Sequence, residues 1–281
     1  MTTVEHPDAH IGGVIEPPRG WALPNLHELW DYRDLLFFMA RRHIAVRYQE
    51  TAVGIAWAVI QPLGFALILS AFLGLVLSAP TAGVPRAAYV LCGMTIWIFF
   101  AETLSRTTTS TIESAGLITK IWFPRLIIPI AALATPVLDF ACAFVVLVVF
   151  LLAMGVVPDI DVLALPAVVA LALMTAFGAG LWLSAIAVRY RDVQIAVPFI
   201  IQVGLFATPV LYALDVVPAA ARPFFALNPM VGVLEGFRWA LLPDAPAPGP
   251  LLIVPVVMSV LLVFGGAVFF TRAERTFADV I

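Results

Sequence analysis

The chain has 281 residues, 62% of them hydrophobic and 12% charged, with a formal net charge of −3. A soluble domain of this size cannot hide that much apolar surface, so an integral membrane protein is expected. The sign and size of the net charge decide little, and no nucleic-acid partner is expected; the distribution of charge along the chain is what informs.

Residues 1–25 read as a flexible cytoplasmic tail. The first 20 are polar and rich in Pro and Gly, without the apolar core of a cleavable signal peptide. Residues 26–281 read as one membrane domain. Within 26–50, Leu26, Leu29, Trp30, Phe37, Ala40 and Ile44 recur at spacings of three and four, which predicts one helical face. Arg41, Arg42, His43 and Arg47 crowd its end, giving an amphipathic interfacial helix with a basic tip. Those arginines either orient the helix on anionic headgroups or meet an anionic substrate such as a lipid-linked diphosphate, which the guanidinium fork suits.

Six apolar runs follow, at about 52–77, 87–104, 126–154, 162–188, 195–214 and 251–270. Each has 18 or more residues, close to the roughly 20 that cross a bilayer as a helix. Backbone in lipid must satisfy its own hydrogen bonds, so the runs are expected to be helices, giving an all-α polytopic protein with six spans. Twelve basic residues precede the first run or lie in the second and fourth connections and after the sixth run; only Arg86, Arg222 and Arg238 lie on the other side. Positive charge stays inside, which places both termini in the cytoplasm. Seven prolines inside the runs predict kinks.

Between runs two and three, Ser110 and Glu113 have the spacing of a capping box, and Gly116 suits the left-handed end of a short helix. A short capped helix on the cytoplasmic face is expected there, either a simple turn or a lever for a partner. The connection 189–193, RYRDV, is a tight turn or a second, smaller contact. The segment 215–250 carries seven prolines. In it Asn228 is placed to cap a helix, Pro229 fits the first turn, and Glu235 and Arg238 share a face. This helix is expected in or dipping into the outer leaflet, as a re-entrant element or a surface anchor. Trp97 is mid-span, either facing a pore or packing.

Several functions are excluded. The single lysine, Lys120, follows Thr119 where a phosphate-binding loop needs glycine. His6, His10, His27 and His43 all precede the first run, which excludes a Ser–His hydrolase or a His-ligated metal site in the spans. No catalytic residue and no metal site is expected. Cys92 and Cys142 lie in apolar runs and read as packing residues. Only Glu102 and Asp139 interrupt the runs. Asp139 is a helix–helix hydrogen-bonding group, a polar spot in a pore wall or a proton site. Uphill transport would draw on an ion gradient or on another subunit.

The strings RRHIAVRYQETAVGIAWAVIQPL (41–63), LITKIWFPR (117–125), LSAIAVRYRDV (183–193), FATPVLY (206–212), ALNPMVGVLEGFRWALL (226–242) and ERTFADVI (274–281) occur in this order. Together they resemble the polysaccharide exporter permeases of the type-2 ABC class, which include O-antigen, teichoic-acid and galactan exporters. The resemblance covers about residues 25–281. It implies a homodimer of six-span subunits around a channel in a bacterial cytoplasmic membrane. Two copies of a cytoplasmic ABC ATPase would bind ATP and Mg, so this chain would be no enzyme and would bind no cofactor. The substrate implied is a glycan on an undecaprenyl- or decaprenyl-type diphosphate, in contact with membrane lipid.

The resemblance matches 110–116 to a main coupling helix, bringing in Ser110, Thr111, Ile112, Glu113 and Ser114, with Lys120 beyond it. Arg189 and Arg191 would form the second contact. A gate helix at 29–49 would offer Arg33, Arg41, Arg42, Arg47 and Tyr48 to the diphosphate. Channel aromatics would be Trp57, Trp97, Phe100, Phe206 and Tyr212. The outer gate would comprise Asn228, Pro229, Glu235, Arg238 and Trp239. A permease for a drug or simple lipid shares this architecture, and an ion-coupled carrier or a membrane scaffold is a more distant alternative. Arginine outnumbers lysine 14 to 1, pointing to a GC-rich bacterial genome.

Overall fold

The structure is a computed structural model describing residues 26–49, 85–243, 245–277 and seven scattered positions between 56 and 68. The expected tail at 1–25 and most of the first run, 52–77, lie outside the described residues. Among those described, every regular element is helical. In chain order they are α1 (Leu26–Asp31), α2 (Arg33–Gln49), α3 (Arg86–Glu113), α4 (Ala115–Ile118), α5 (Ile127–Ala132) and α6 (Ala134–Ala153). There follow α7 (Leu165–Arg189), α8 (Asp192–Ala207), α9 (Arg222–Ala226), α10 (Pro229–Leu241) and α11 (Ile253–Ala273).

Four helical stretches are long and apolar enough to cross a membrane: Arg86–Glu113, Ile127–Ala153, Ile160–Arg189 and Gly249–Ala273. They match the second, third, fourth and sixth expected runs, and the chain is a multi-pass membrane protein. The fifth run departs from expectation. Its helix, α8, starts at Asp192 and stops at Ala207 after 16 residues. At 1.5 Å per residue that is about 24 Å, short of the roughly 30 Å hydrocarbon layer. Thr208, Pro209 and Val210 then leave the helix and turn into the protein, all three buried.

The molecule is organised around α7, which packs along α3 on one side and α11 on the other. One edge of α7 carries Ala172, Ala176, Gly180 and Ser184, four apart and all buried. Against it α3 presents Thr103, Thr107 and Thr111 at the same interval, also buried. A Cβ on Gly180 would sit 2.6 Å from the Thr107 Cβ. The Thr111 and Ser184 hydroxyls are hydrogen-bonded at 2.8 Å. Small residues at four-residue spacing let two helices approach closely where apolar burial gives no preference for protein over lipid.

The opposite edge works the same way with backbone atoms. A Cβ on Gly178 would lie 2.5 Å from the Val263 amide nitrogen, and one on Gly266 would lie 2.7 Å from the Gly178 carbonyl oxygen. Trp182 closes the seam by stacking on Phe269, centroids 4.7 Å apart.

The polar stretch 107–113, expected as the start of a loop, is the last part of α3. Ser110 is no cap: it is buried and its hydroxyl donates to the Thr107 carbonyl at 2.8 Å. Thr108 likewise donates to the Leu104 carbonyl at 2.7 Å. Side chains that look like loop formers have satisfied themselves on the preceding turn. The capping box therefore does not form. Gly116 lies inside α4 and needs no left-handed backbone.

Gly178→Ala is expected to lower stability by about 1–3 kcal/mol, because the new methyl meets backbone. Gly116→Ala, where nothing lies within 4 Å, should be neutral or stabilising by up to about 1 kcal/mol. Thermal unfolding in detergent distinguishes them; equal effects would refute the backbone contact.

Candidate functional site

α1 and α2 form one arm laid across α5 and α6. Met39 is buried with Ile118, Phe123, Ile127, Ile128 and Ala131, and Leu29, Tyr32, Leu35 and Leu36 pack around it. The inward face is thus not the one expected. Leu29 belongs to it, but Trp30 and Phe37 are 69% and 62% exposed. The arm has two apolar faces, and spacing alone could not say which one the protein would cover.

The end of the arm plugs into the bundle. An Arg47 Nη2 lies 2.7 Å from the Asp139 carboxylate on α6, and Nη1 lies 3.8 Å from Glu102 on α3. Arg106 pairs with Glu102 at 3.0 Å, one turn along α3. The Tyr48 hydroxyl donates to Asp139. Asp139 is therefore a hydrogen-bonding junction between helices, and its two partners come from the arm. Two cations and two carboxylates balance in this cluster, as charges at membrane depth must.

Arg41 and Arg42 stay exposed on the other side of the arm. With Asp34, Phe37, Phe38 and Ala45 they line an open cavity of about 590 Å³. Of the five side chains expected to meet the diphosphate, Arg41 and Arg42 line this cavity, while Arg47 and Tyr48 are engaged by Asp139. Arg33 lies over the Trp30 ring, 5.8 Å from its centroid. Arg41, Arg42 and the two phenylalanines combine paired guanidinium forks with an apolar floor, a chemistry suited to a phosphate headgroup on a lipid.

At the far end of α3, Glu113 is exposed and the chain turns through Ser114 into α4. Lys120, Ile121 and Trp122 are exposed beyond it, and Tyr32 meets Trp122 edge-on at 6.3 Å. Thr111 and Ser110 are buried in the bundle, and Ile112 is half-buried. Burial holds the His43 imidazole below its ordinary value, helped by Arg42 and opposed by Glu113. The 189–193 connection is tight: α7 ends at Arg189 and α8 begins at Asp192, leaving Tyr190 and Arg191 exposed.

The chain's last described residues dock beside this end. Phe277 is buried against Phe270, and Arg125 donates to the Glu274 carbonyl. Burial raises the Glu274 carboxyl to about 7, reinforced by Glu28 and opposed by Arg125 and Arg275.

The aromatics expected along a channel are dispersed. Trp57 and Phe206 are exposed, and the Tyr212 hydroxyl donates to the Phe206 carbonyl at 2.8 Å. Trp97 is 5% exposed. It packs on Phe100 at 5.3 Å, and a Cβ on Gly204 of α8 would lie 3.0 Å from its ring. Within this chain Trp97 is a packing residue, filling the space that Gly204 leaves.

In the long connection the local expectations hold. The Asn228 side chain accepts from the Met230 amide, with Pro229 in the first turn of α10. Glu235 and Arg238 pair at 2.9 Å. Trp239 is half-buried. The helix is no surface anchor: Met230, Val231, Val233, Leu234, Phe237, Arg238 and Leu241 are buried, and α10 packs on α3, α7 and α11. It is an element inside the bundle. Among the described residues no group of three or more His, Cys, Asp or Glu could hold a metal.

The model of the ABC-2 type transporter family matches residues 34–242. The O-antigen export system permease protein RfbA of Myxococcus xanthus is 29% identical over 262 residues, 91% of this chain and 98% of that protein. A protein of the same description from Klebsiella pneumoniae is 29% identical over 73% of this chain and 79% of its own length. The polysialic acid transport protein KpsM of Escherichia coli is 22% identical over 83% of this chain and 91% of its length.

Asp139→Asn and Arg47→Gln are each expected to cost about 1–3 kcal/mol of stability by leaving a charged partner unpaired. The double variant should cost clearly less than the sum, since both remove the same contact. Chemical denaturation of the four proteins tests this; additive losses would mean the pair contributes nothing.

The Glu274 carboxyl sits above its ordinary value of 4.5, so the docked segment prefers the neutral acid. Docking is expected to be firmest below pH 4.5 and to weaken as pH rises through about 7. Amide exchange at 274–277, corrected for its intrinsic pH dependence, should show this midpoint, and Glu274→Gln should abolish it.

Proposed function

Since the chain belongs to the ABC-2 type transporter family, we propose that it is the membrane permease of an ATP-driven exporter of a lipid-linked polysaccharide. The observation that carries this reading is the match to an O-antigen export permease along 98% of that protein's length. ATP hydrolysis belongs to a separate ATPase subunit, consistent with the lack of a phosphate-binding loop around Lys120. ATP and Mg would bind there, two ATPase copies serving a homodimer of six-span subunits.

In this reading the Glu113 end of α3 faces the cytoplasm. Glu113, Ser114, α4 and Lys120 form the main contact with the ATPase, and Arg189 and Arg191 the smaller one. The tip around Ser114, with Glu113 and Gly116 exposed, in place of the expected 110–116 helix, is the part that a partner groove can reach. Closure of the ATPase pair pushes on this tip, and α3, locked to α7 by Thr111 and Ser184, carries the push as a rod about 42 Å long. Arg41 and Arg42 receive the diphosphate of an undecaprenyl- or decaprenyl-type carrier, with Phe37 and Phe38 against its lipid portion. Arg47 and Tyr48 anchor the arm through Asp139.

The exposed side of α8, with Ile195, Phe199, Val203 and Phe206 in line, supports a second copy or a glycan path at that face.

Depleting the protein is expected to accumulate a lipid-linked glycan inside the cell, and an ABC ATPase should co-purify with it. Glu113→Ala with Lys120→Ala should cut export about tenfold at unchanged membrane abundance. Export that continues without any ATPase and stops when the proton gradient is collapsed would overturn the proposal.

A further inference from the structure

The end of the fifth run holds backbone that is neither helical nor exposed. Past Ala207 the chain continues without regular structure, with Thr208, Pro209 and Val210 buried. At membrane depth such backbone persists only where protein groups satisfy its carbonyls. Arg238 on α10 does this twice: Nη1 donates to the Pro209 carbonyl at 2.8 Å and Nη2 to the Val210 carbonyl at 2.6 Å.

The same guanidinium reaches two further elements. It pairs with Glu235 and lies 3.7 Å from the centroid of the Tyr89 ring on α3. Gly93, one turn further along α3, makes room for the junction. A Cβ there would fall 2.5 Å from the Val210 oxygen and 2.8 Å from Nη2 of Arg238. Asn228 adds a tie at the start of α10, its Nδ2 donating to the Thr208 hydroxyl at 2.9 Å. One side chain, 1% exposed, thus joins α3, the exit of α8 and α10.

Generic core packing would not need this arrangement, because the rest of α8 is held along one side only, by Val197 and the partly buried Val193, Ile201 and Leu205. Val197 is its only buried residue. The end of α8 is located by Thr208–Val210 contacts, and the strongest of these run to Arg238.

We propose that Arg238 is a positioning residue of the exporter, the pin that fastens the exit segment 208–213 to α3 and α10 at the outer gate. The gate role rests on the exporter reading; the joint itself does not. Because α3 runs from this pin to the Glu113 tip, the exit segment is fastened to the same rod that meets the ATPase.

Spin labels at Val216→Cys and Leu261→Cys, both exposed, report the joint in full-length protein in lipid nanodiscs without nucleotide. Cys142→Ala removes the more accessible native thiol, and Cys92 is fully buried. A control pair at Leu163→Cys and Leu261→Cys reports the bundle. With labelled protein diluted into an excess of unlabelled protein, so that one subunit of a pair is labelled, a single narrow 216–261 distance is expected, broadening at least twofold in Arg238→Met and less in Arg238→Lys, which keeps one donor group. The control pair should stay narrow throughout.

An unchanged 216–261 distribution in Arg238→Met overturns the proposal, as does equal broadening of the control pair. If Arg238→Met fails to reach the membrane, Gly93→Ala, which forces the Val210 carbonyl off the guanidinium, is measured in its place with the same expectations. In cells, Arg238→Met at normal abundance should export at least tenfold less glycan while its complex still hydrolyses ATP. Wild-type export despite a loosened joint would overturn the gate role. A wild-type chain that exports nothing would count against the exporter reading and leave the spin-label result standing.

Discussion

The close approach of α7 to α3 and α11 is the constraint on which the rest of this structure depends. In lipid, helices gain little by burying apolar side chains against each other, so they associate where small residues let backbones touch. α7 is built for this on two edges, with Ala172, Ala176, Gly180 and Ser184 toward α3 and Gly178 toward α11. The resulting three-helix slab is what other elements hang on: the arm, α10 and the chain end all dock against it or its immediate neighbours.

Two arginines then fasten the less regular parts, and both follow the electrostatics of a low-dielectric surrounding. Arg47 brings the arm to α6 and α3, where Asp139 needs a cation and Glu102 is already paired with Arg106. Arg238 meets carbonyls stranded by the end of α8, with Glu235 balancing its charge and Tyr89 covering its face. In each case a fork-shaped cation binds several acceptors from different segments at once, which a lysine could not do with the same geometry. The cluster at Arg47 is half-exposed and the one at Arg238 is sealed, so the first can exchange partners more readily than the second.

The membrane character, four of the spanning helices and the helix capped by Asn228 were legible along the chain because they rest on local facts: apolar length, a cap, a proline in the first turn. The family was legible because several short strings keep their order. What misled were residues whose local meaning is ambiguous. The stretch 107–111 is made of threonine and serine, which favour loops in water. Here Thr108 and Ser110 bond to the preceding helical turn and Thr111 bonds across to Ser184, so α3 runs straight through it. A signal did exist, in the four-residue repeat of Thr103, Thr107 and Thr111 facing the repeat in α7.

Sequence by itself determined the class of this protein: that it lives in a membrane, that it carries no nucleotide site of the phosphate-binding-loop type, and which segments are long enough to cross. These follow from composition and spacing, which burial in lipid constrains directly. Tertiary structure decided which charges are engaged and which are open. Arg41, Arg42 and Arg47 look equivalent in the chain, yet two line a cavity and one is held by Asp139, 92 positions away. Trp97 could face a pore or pack, and the Arg238 helix could dip into the bundle or lie on its surface; both residues are buried. Such assignments depend on partners distant in sequence, and no local pattern encodes them.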